Sequence, residues 1–271
     1  MALYQRGQMH LKRLIVAIIF LPLLYFSIMY LPQWGFLLML IIGTLLALSE
    51  FYSMYKVPNA LKYICLFLGV FILGVSYISK DILFDVIVFS ITSIIVMRLL
   101  IRKDPLSSLF DIAPPVIGLL YIPVLFTFQT HIRKLGPEWI VFLYATVWMS
   151  DSTAYYLGKG IGKRKLYPEV SPNKTVAGAV GSVIGGLIGA VIIKTTILPM
   201  LSALYMVLIG IMIGFVTIIG DLVESMFKRD AGVKDSGIII PGHGGILDKI
   251  DGMLFAGPVL YWMLMGLKII K

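Results

Sequence analysis

The chain has 271 residues, 59% of them hydrophobic, a mean hydropathy of +0.96 and a formal charge of +9. That apolar content is more than a soluble chain of this length can hide, since globular proteins run nearer half apolar. The positive charge is read as loop Lys and Arg of a membrane protein, not as a nucleic-acid surface, and the single Cys65 excludes a disulfide framework or a cysteine metal cluster.

In chain order, Arg6, Lys12 and Arg13 precede an apolar run from Leu14 to Leu31. The run is longer than a signal h-region and no small-x-small site follows it, so it reads as a retained span. Apolar runs able to cross a bilayer recur at 14–31, 34–54, 61–79, 82–101, 109–129, 138–158, 175–193, 200–227 and 251–270. The expectation is an all-α, polytopic integral membrane protein with about nine transmembrane helices. With the N-terminus inside, 17 of the 23 Lys and Arg residues fall on the inner side and 6 on the outer, which predicts an N-in/C-out orientation. Residues 1–130 read as scaffold. Residues 131–271 read as a catalytic region whose loops 158–174 and 228–250 share the cytoplasmic face.

The scaffold carries isolated Glu50, Asp85 and Asp111 near predicted helix ends, where a charged group reaches the headgroups. These are read as structural. Pro114 and Pro115 are expected to bend the fifth span. In the sixth, Asp151 and Tyr155 share a helix side. Asp151 is either a hydrogen-bonding partner of a neighbouring helix or a site residue. The next loop, GKGIGKRKLYPEVSPNK, holds five cations, some of which suit anionic lipid. Its end, Ser171-Pro172-Asn173-Lys174-Thr175, combines a rigid turn, hydroxyls and a lysine at the head of a span, a natural phosphate site. The seventh span presents Gly178, Gly181, Gly185, Gly186 and Gly189 mostly on one face. Small residues allow close helix contact, here read as packing within the chain or in a homodimer.

The stretch from Gly220 to Gly252 concentrates the chemistry. It holds six of the fourteen acidic residues, Asp221, Glu224, Asp230, Asp235, Asp248 and Asp251, between two apolar runs. Ionisable groups at membrane depth mark working sites by default. Thr217, Asp221, Glu224, Ser225 and Lys228 form one polar stripe at helical spacing, which has to face protein, water or ligand. Pro241-Gly242-His243-Gly244-Gly245 opens the last helix as a candidate anion nest. Asp248 and Asp251 follow at i,i+3. Carboxylates that close together call for a cation. Hard oxygen donors suit Mg²⁺, and Asp221 is placed to complete the set. Salt bridges to Lys228, Arg229, Lys234 and Lys249 are the structural alternative.

The run Ser225-Met226-Phe227-Lys228-Arg229, then Lys234-Asp235, Gly237, Pro241, His243-Gly244-Gly245, Asp248 and Asp251 resembles the signature of the phosphatidate cytidylyltransferases, or CDP-diacylglycerol synthases. Asp151-Ser152-x-Ala154-Tyr155 and Ser171-Pro172-x-Lys174-Thr175 are similar to the family as well. Two positions depart from its pattern: Lys249 where arginine is usual, and Ala177 where glutamate is usual.

The resemblance implies that CTP and phosphatidate react with Mg²⁺, and room for a second cation, to give CDP-diacylglycerol and pyrophosphate. It assigns metal binding to Asp221, Asp248 and Asp251. Phosphate binding goes to Lys174, Ser171, Thr175, Lys228, Arg229 and Lys234, with Lys249 as a further cation. His243 and the amides of Gly242, Gly244 and Gly245 cradle phosphate, and Asp151 and Ser225 support the site. Two other readings compete with it. The CDP-alcohol phosphotransferase pattern is missing from the sequence. A cation or solute transporter built on intramembrane carboxylates would show related halves, and the polar residues instead gather in the C-terminal half.

Overall fold

The computed structural model describes residues 21–237 and 244–269. Its elements are helices apart from one short hairpin. Helix α1 covers Leu21–Tyr30. Pro32, with its fixed φ, opens α2 (Gln33–Met54), and Pro58 opens α3 (Asn59–Ile78). Helix α4 runs over Leu83–Ile101. Helices α5 (Ser108–Leu119) and α6 (Leu125–Leu135) are one continuous rod joined by a π turn at Leu120–Val124. The rod therefore continues beyond the expected 109–129, and the expected boundary at residue 130 falls inside α6. Pro123 lies within the π turn, and the Tyr52 hydroxyl donates to the Pro115 carbonyl at 3.0 Å. Gly136, at φ 154°, and Pro137 separate α6 from α7 (Pro137–Ile161).

The loop after α7 is not featureless. Lys165–Tyr167 and Ser171–Thr175 pair as antiparallel strands β1 and β2, with Lys165 opposite Thr175 and Tyr167 opposite Ser171. Helices α8 (Val176–Thr196), α9 (Ala203–Asp230) and α10 (Leu247–Gly266) complete the fold.

Six described helices are long and apolar enough to span a membrane: Gln33–Met54, Asn59–Ile78, Leu83–Ile101, Ser108–Leu135, Val176–Thr196 and Ala203–Asp230. Helices α7 and α10 form where spans were expected, with 25 and 20 residues. Their apolar runs are diluted by the acids, hydroxyls and glycines that build the site.

Two packing styles divide the molecule. Helices α2 to α6 interlock through large side chains, with Phe36, Leu48, Phe51, Tyr52, Leu61 and Ile72 fully buried. Helices α7, α8 and α9 touch backbone to backbone. A Cβ on Gly181 would stand 2.9 Å from the Thr153 carbonyl of α7, and one on Gly214 would stand 2.6 Å from the Ser182 carbonyl of α8. Lipid tails give little hydrophobic drive for helix association, so close van der Waals contact through small residues takes over. The glycine face of α8 is thus occupied within the chain. A homodimer contact would have to use another surface.

Candidate active site

Glycine also decides how α9 meets α10. A Cβ on Gly220 would lie 2.7 Å from the Asp251 carbonyl and 3.2 Å from the Gly252 Cα. The two backbones touch there, which sets Asp221 of α9 beside Asp251 of α10. Asp251 is within hydrogen-bonding reach of the Asp221 carboxylate and is faced by Glu224 and Asp151 as well. It is 8% exposed, and Glu224 is 1% exposed. Asp151 comes from α7, near Asp221, Lys174 and Lys249. Asp151 is exposed, and no hydrogen bond to a neighbouring helix is formed by it among the described residues.

Two lysines answer the acids. Lys174, at the end of β2, pairs with Asp221 at 2.8 Å. Lys228 is buried between Glu224, which it meets as an i,i+4 ion pair, and Asp248, at 2.6 Å. Asp248 is engaged by a different set of partners. Its other oxygen accepts from the Ser236 hydroxyl at 2.8 Å, the Ser236 N–H at 3.1 Å and the Gly245 N–H at 2.7 Å. A half-buried carboxylate with both oxygens so engaged is held in place. The structure brings Asp221 and Asp251 together, and Glu224 links that pair to a separate network around Asp248.

Among the described residues no three His, Cys, Asp or Glu side chains close on one point as a complete metal cage. The donor chemistry of Asp221 and Asp251 nevertheless fits a hard divalent cation. They are juxtaposed carboxylates, and Glu224 Oε1 beside them has no hydrogen-bond partner among the described residues. Mg²⁺ usually takes one or two protein carboxylates and completes its shell with water and substrate phosphate, so a full cage is not required.

Other expected residues have structural duties. The Thr175 hydroxyl caps α8 by accepting from Gly178 N–H at 3.1 Å. Arg229 donates to the Val233 carbonyl at 2.8 Å and reaches the Val170 carbonyl at 3.3 Å, tying the end of α9 to the hairpin. Ser171 is half-buried, Ser225 is buried, and Lys234 and Lys249 are exposed. Gly242 and His243 lie outside the described residues.

Glu50 and Ser236 were missed by sequence reasoning, and Glu224 was noted only as part of a stripe. Glu50 was expected to reach the headgroups. It is 5% exposed and accepts from Ile246 N–H at 3.0 Å and Leu247 N–H at 2.9 Å, capping α10 from α2. Asp111, given the same reading, instead pairs with Arg98 at 2.9 Å and Arg102 at 3.1 Å. Only the position of Glu224 on the stripe was available as a signal. Nothing local to Glu50 announces a partner almost two hundred residues away.

Comparison with known proteins points to one family. The profile of the Cytidylyltransferase family matches residues 11–267. The phosphatidate cytidylyltransferase of Staphylococcus epidermidis is 32% identical over 257 residues, covering 92% of this chain and 95% of that protein. The phosphatidate cytidylyltransferase of Bacillus subtilis is 42% identical over 148 residues, 54% of this chain and 55% of its own length. That of Staphylococcus aureus is 38% identical over 178 residues, 62% of this chain and 65% of its own.

Proposed function

The chain belongs to the cytidylyltransferase family, and from that premise we propose that it makes CDP-diacylglycerol and pyrophosphate from CTP and phosphatidate, at the face of a membrane. In this reaction an oxygen of the lipid phosphate attacks the α-phosphorus of CTP. A new P–O–P bond forms, the bond between the α-phosphorus and its bridging oxygen breaks, and pyrophosphate leaves with that oxygen. The nucleophile is already anionic at neutral pH, so the protein needs no strong base. Its task is to bring two polyanions together and to stabilise charge on the α-phosphoryl group and the departing pyrophosphate.

The observation that carries this reading is the pairing of Asp221 with Asp251 where the α9 and α10 backbones touch. Asp221 and Asp251 would hold Mg²⁺, with Glu224 and Asp151 alongside and Asp248 reached through the Lys228 network. The ion supplies neutralisation of phosphate charge when bound. Lys174 shields Asp221 and sits ready to meet substrate phosphate instead. Lys228 stays fixed between Glu224 and Asp248 and directs positive charge at the same region. Ser225, Lys234, Lys249 and Gly244 are assigned to substrate phosphates, with Gly242 and His243 from the same loop, while the Gly245 N–H is held by Asp248. We place the chain in the membrane with about nine spans, N-in/C-out, and this site at the cytoplasmic face.

The test is purified protein with labelled CTP, phosphatidate and Mg²⁺. A lipid-soluble cytidine product supports the assignment, whereas cation flux into vesicles without such product would return the transporter reading, which the one-sided placement of the acids does not favour.

A further inference from the structure

We propose that Glu50, on α2 of the scaffold, is a positioning residue for the transfer reaction, acting through the start of α10 and through Ser236 on Asp248. The inference rests on the activity assigned above. The chain on either side of residues 238–243 closes around one carboxylate. Glu50 Oε1 accepts from Ile246 N–H at 3.0 Å. Glu50 Oε2 accepts from Leu247 N–H at 2.9 Å and from the Ser236 hydroxyl at 3.3 Å. The same hydroxyl lies 2.8 Å from Asp248 Oδ2, so two carboxylates share one serine.

The fit is tight enough to dictate sequence. A Cβ on Gly237 would lie 2.8 Å from Glu50 Cδ, and one on Gly245 would lie 2.6 Å from the same atom. Gly245, expected to expose its amide to phosphate, and Gly237 instead make room for an internal anion. The first N–H groups of a helix lack partners within the helix and attract negative charge. Here Glu50 satisfies two of them, and the Gly245 N–H is taken by Asp248. The start of α10 is therefore already answered by protein. Its orientation sets the helix face that carries Asp248 and Asp251.

A carboxylate in this place does two things a neutral group cannot. It accepts several N–H and O–H donors at once with the strength of charge-assisted bonds, and it matches the positive end of α10. Glu50→Gln keeps the shape but turns an NH2 toward donors.

The experiment compares wild type, Glu50→Gln, Ser236→Ala and the double variant. kcat and KM are measured separately, together with hydrogen exchange over residues 244–250. Outer partners of reactive groups contribute about 10- to 100-fold to activity, so Glu50→Gln should lower kcat by that factor. KM for CTP should stay within about threefold, as expected when ground-state binding is untouched. Exchange at Ile246 and Leu247 should accelerate, and the double variant should lose little more than Glu50→Gln alone because both act on one link.

Wild-type kcat in Glu50→Gln, unchanged exchange at α10, or losses that multiply in the double variant would each overturn the proposal. If Glu50→Gln does not fold, Ser236→Ala alone decides: reduced kcat at unchanged KM upholds the link, and full activity sinks it. A wild-type protein that makes no CDP-diacylglycerol would instead defeat the function assigned above.

Discussion

The two halves balance charge in opposite ways. In the scaffold, Arg98 is 4% exposed at its side chain and is fully answered. Its guanidinium pairs with Asp111 and donates to the carbonyls of Arg102, Asp104 and Leu106. In the C-terminal half, Asp151, Asp221, Glu224 and Asp251 crowd together with Lys174 and Lys228 as their nearest cations. A balanced cluster holds a loop together, whereas an excess of one sign at a helix junction suits the cation binding proposed above. The packing styles follow the same division. Large interlocking side chains suit a scaffold, whereas glycines let α9 and α10 approach until two carboxylates meet.

The comparison can be broken most forcefully at the acidic pair. Asp251→Asn should reduce CDP-diacylglycerol formation by about 10³-fold, the upper range for losing one preorganised electrostatic element, while circular dichroism stays helical. Near-normal turnover would remove Asp251 from the site. Next comes the contact that makes the pair. Gly220→Ala places a methyl group against the Asp251 carbonyl. Overpacking of this kind costs about 1–3 kcal/mol, and a displacement of about 1 Å at reacting groups lowers turnover about 100-fold. An alanine variant with full activity would show that the close approach is not needed.

The scaffold cluster should behave differently. Arg98→Ala leaves Asp111 only the exposed Arg102 as partner and should cost about 3 kcal/mol of stability, the low end for a broken buried pair. Activity per folded molecule should be unchanged, which a thermal-unfolding series in detergent beside a rate assay would establish. The smallest effect is expected at Gly43 of α2, where an added Cβ meets nothing within 4 Å. Gly43→Ala should leave stability the same or raise it by up to about 1 kcal/mol through helix propensity, with turnover unaltered.

Much of the site was legible in the linear chain because its members lie within one helical turn or one short loop of each other. The stripe through Asp221, Glu224 and Lys228 and the step from Asp248 to Asp251 are spacing facts. Roles were less legible. Asp248 and Asp251 share a helix, yet Lys228, Ser236 and Gly245 hold Asp248 while Asp251 turns to Asp221. Thr175 was placed correctly at a helix start, but its hydroxyl serves the cap. Glu50 and Asp111 looked alike in sequence and have unlike partners.

The sequence alone determined that this is a helical membrane protein, which chain segment concentrates its acids and which family it resembles. Those follow from hydropathy, helical period and short motifs, all of them local properties. Only the tertiary structure decided which carboxylate meets which cation, that α8 turns its glycines inward, and that an acid from α2 caps α10. Such pairings depend on how closely two backbones approach across long stretches of chain, and no local pattern encodes that distance.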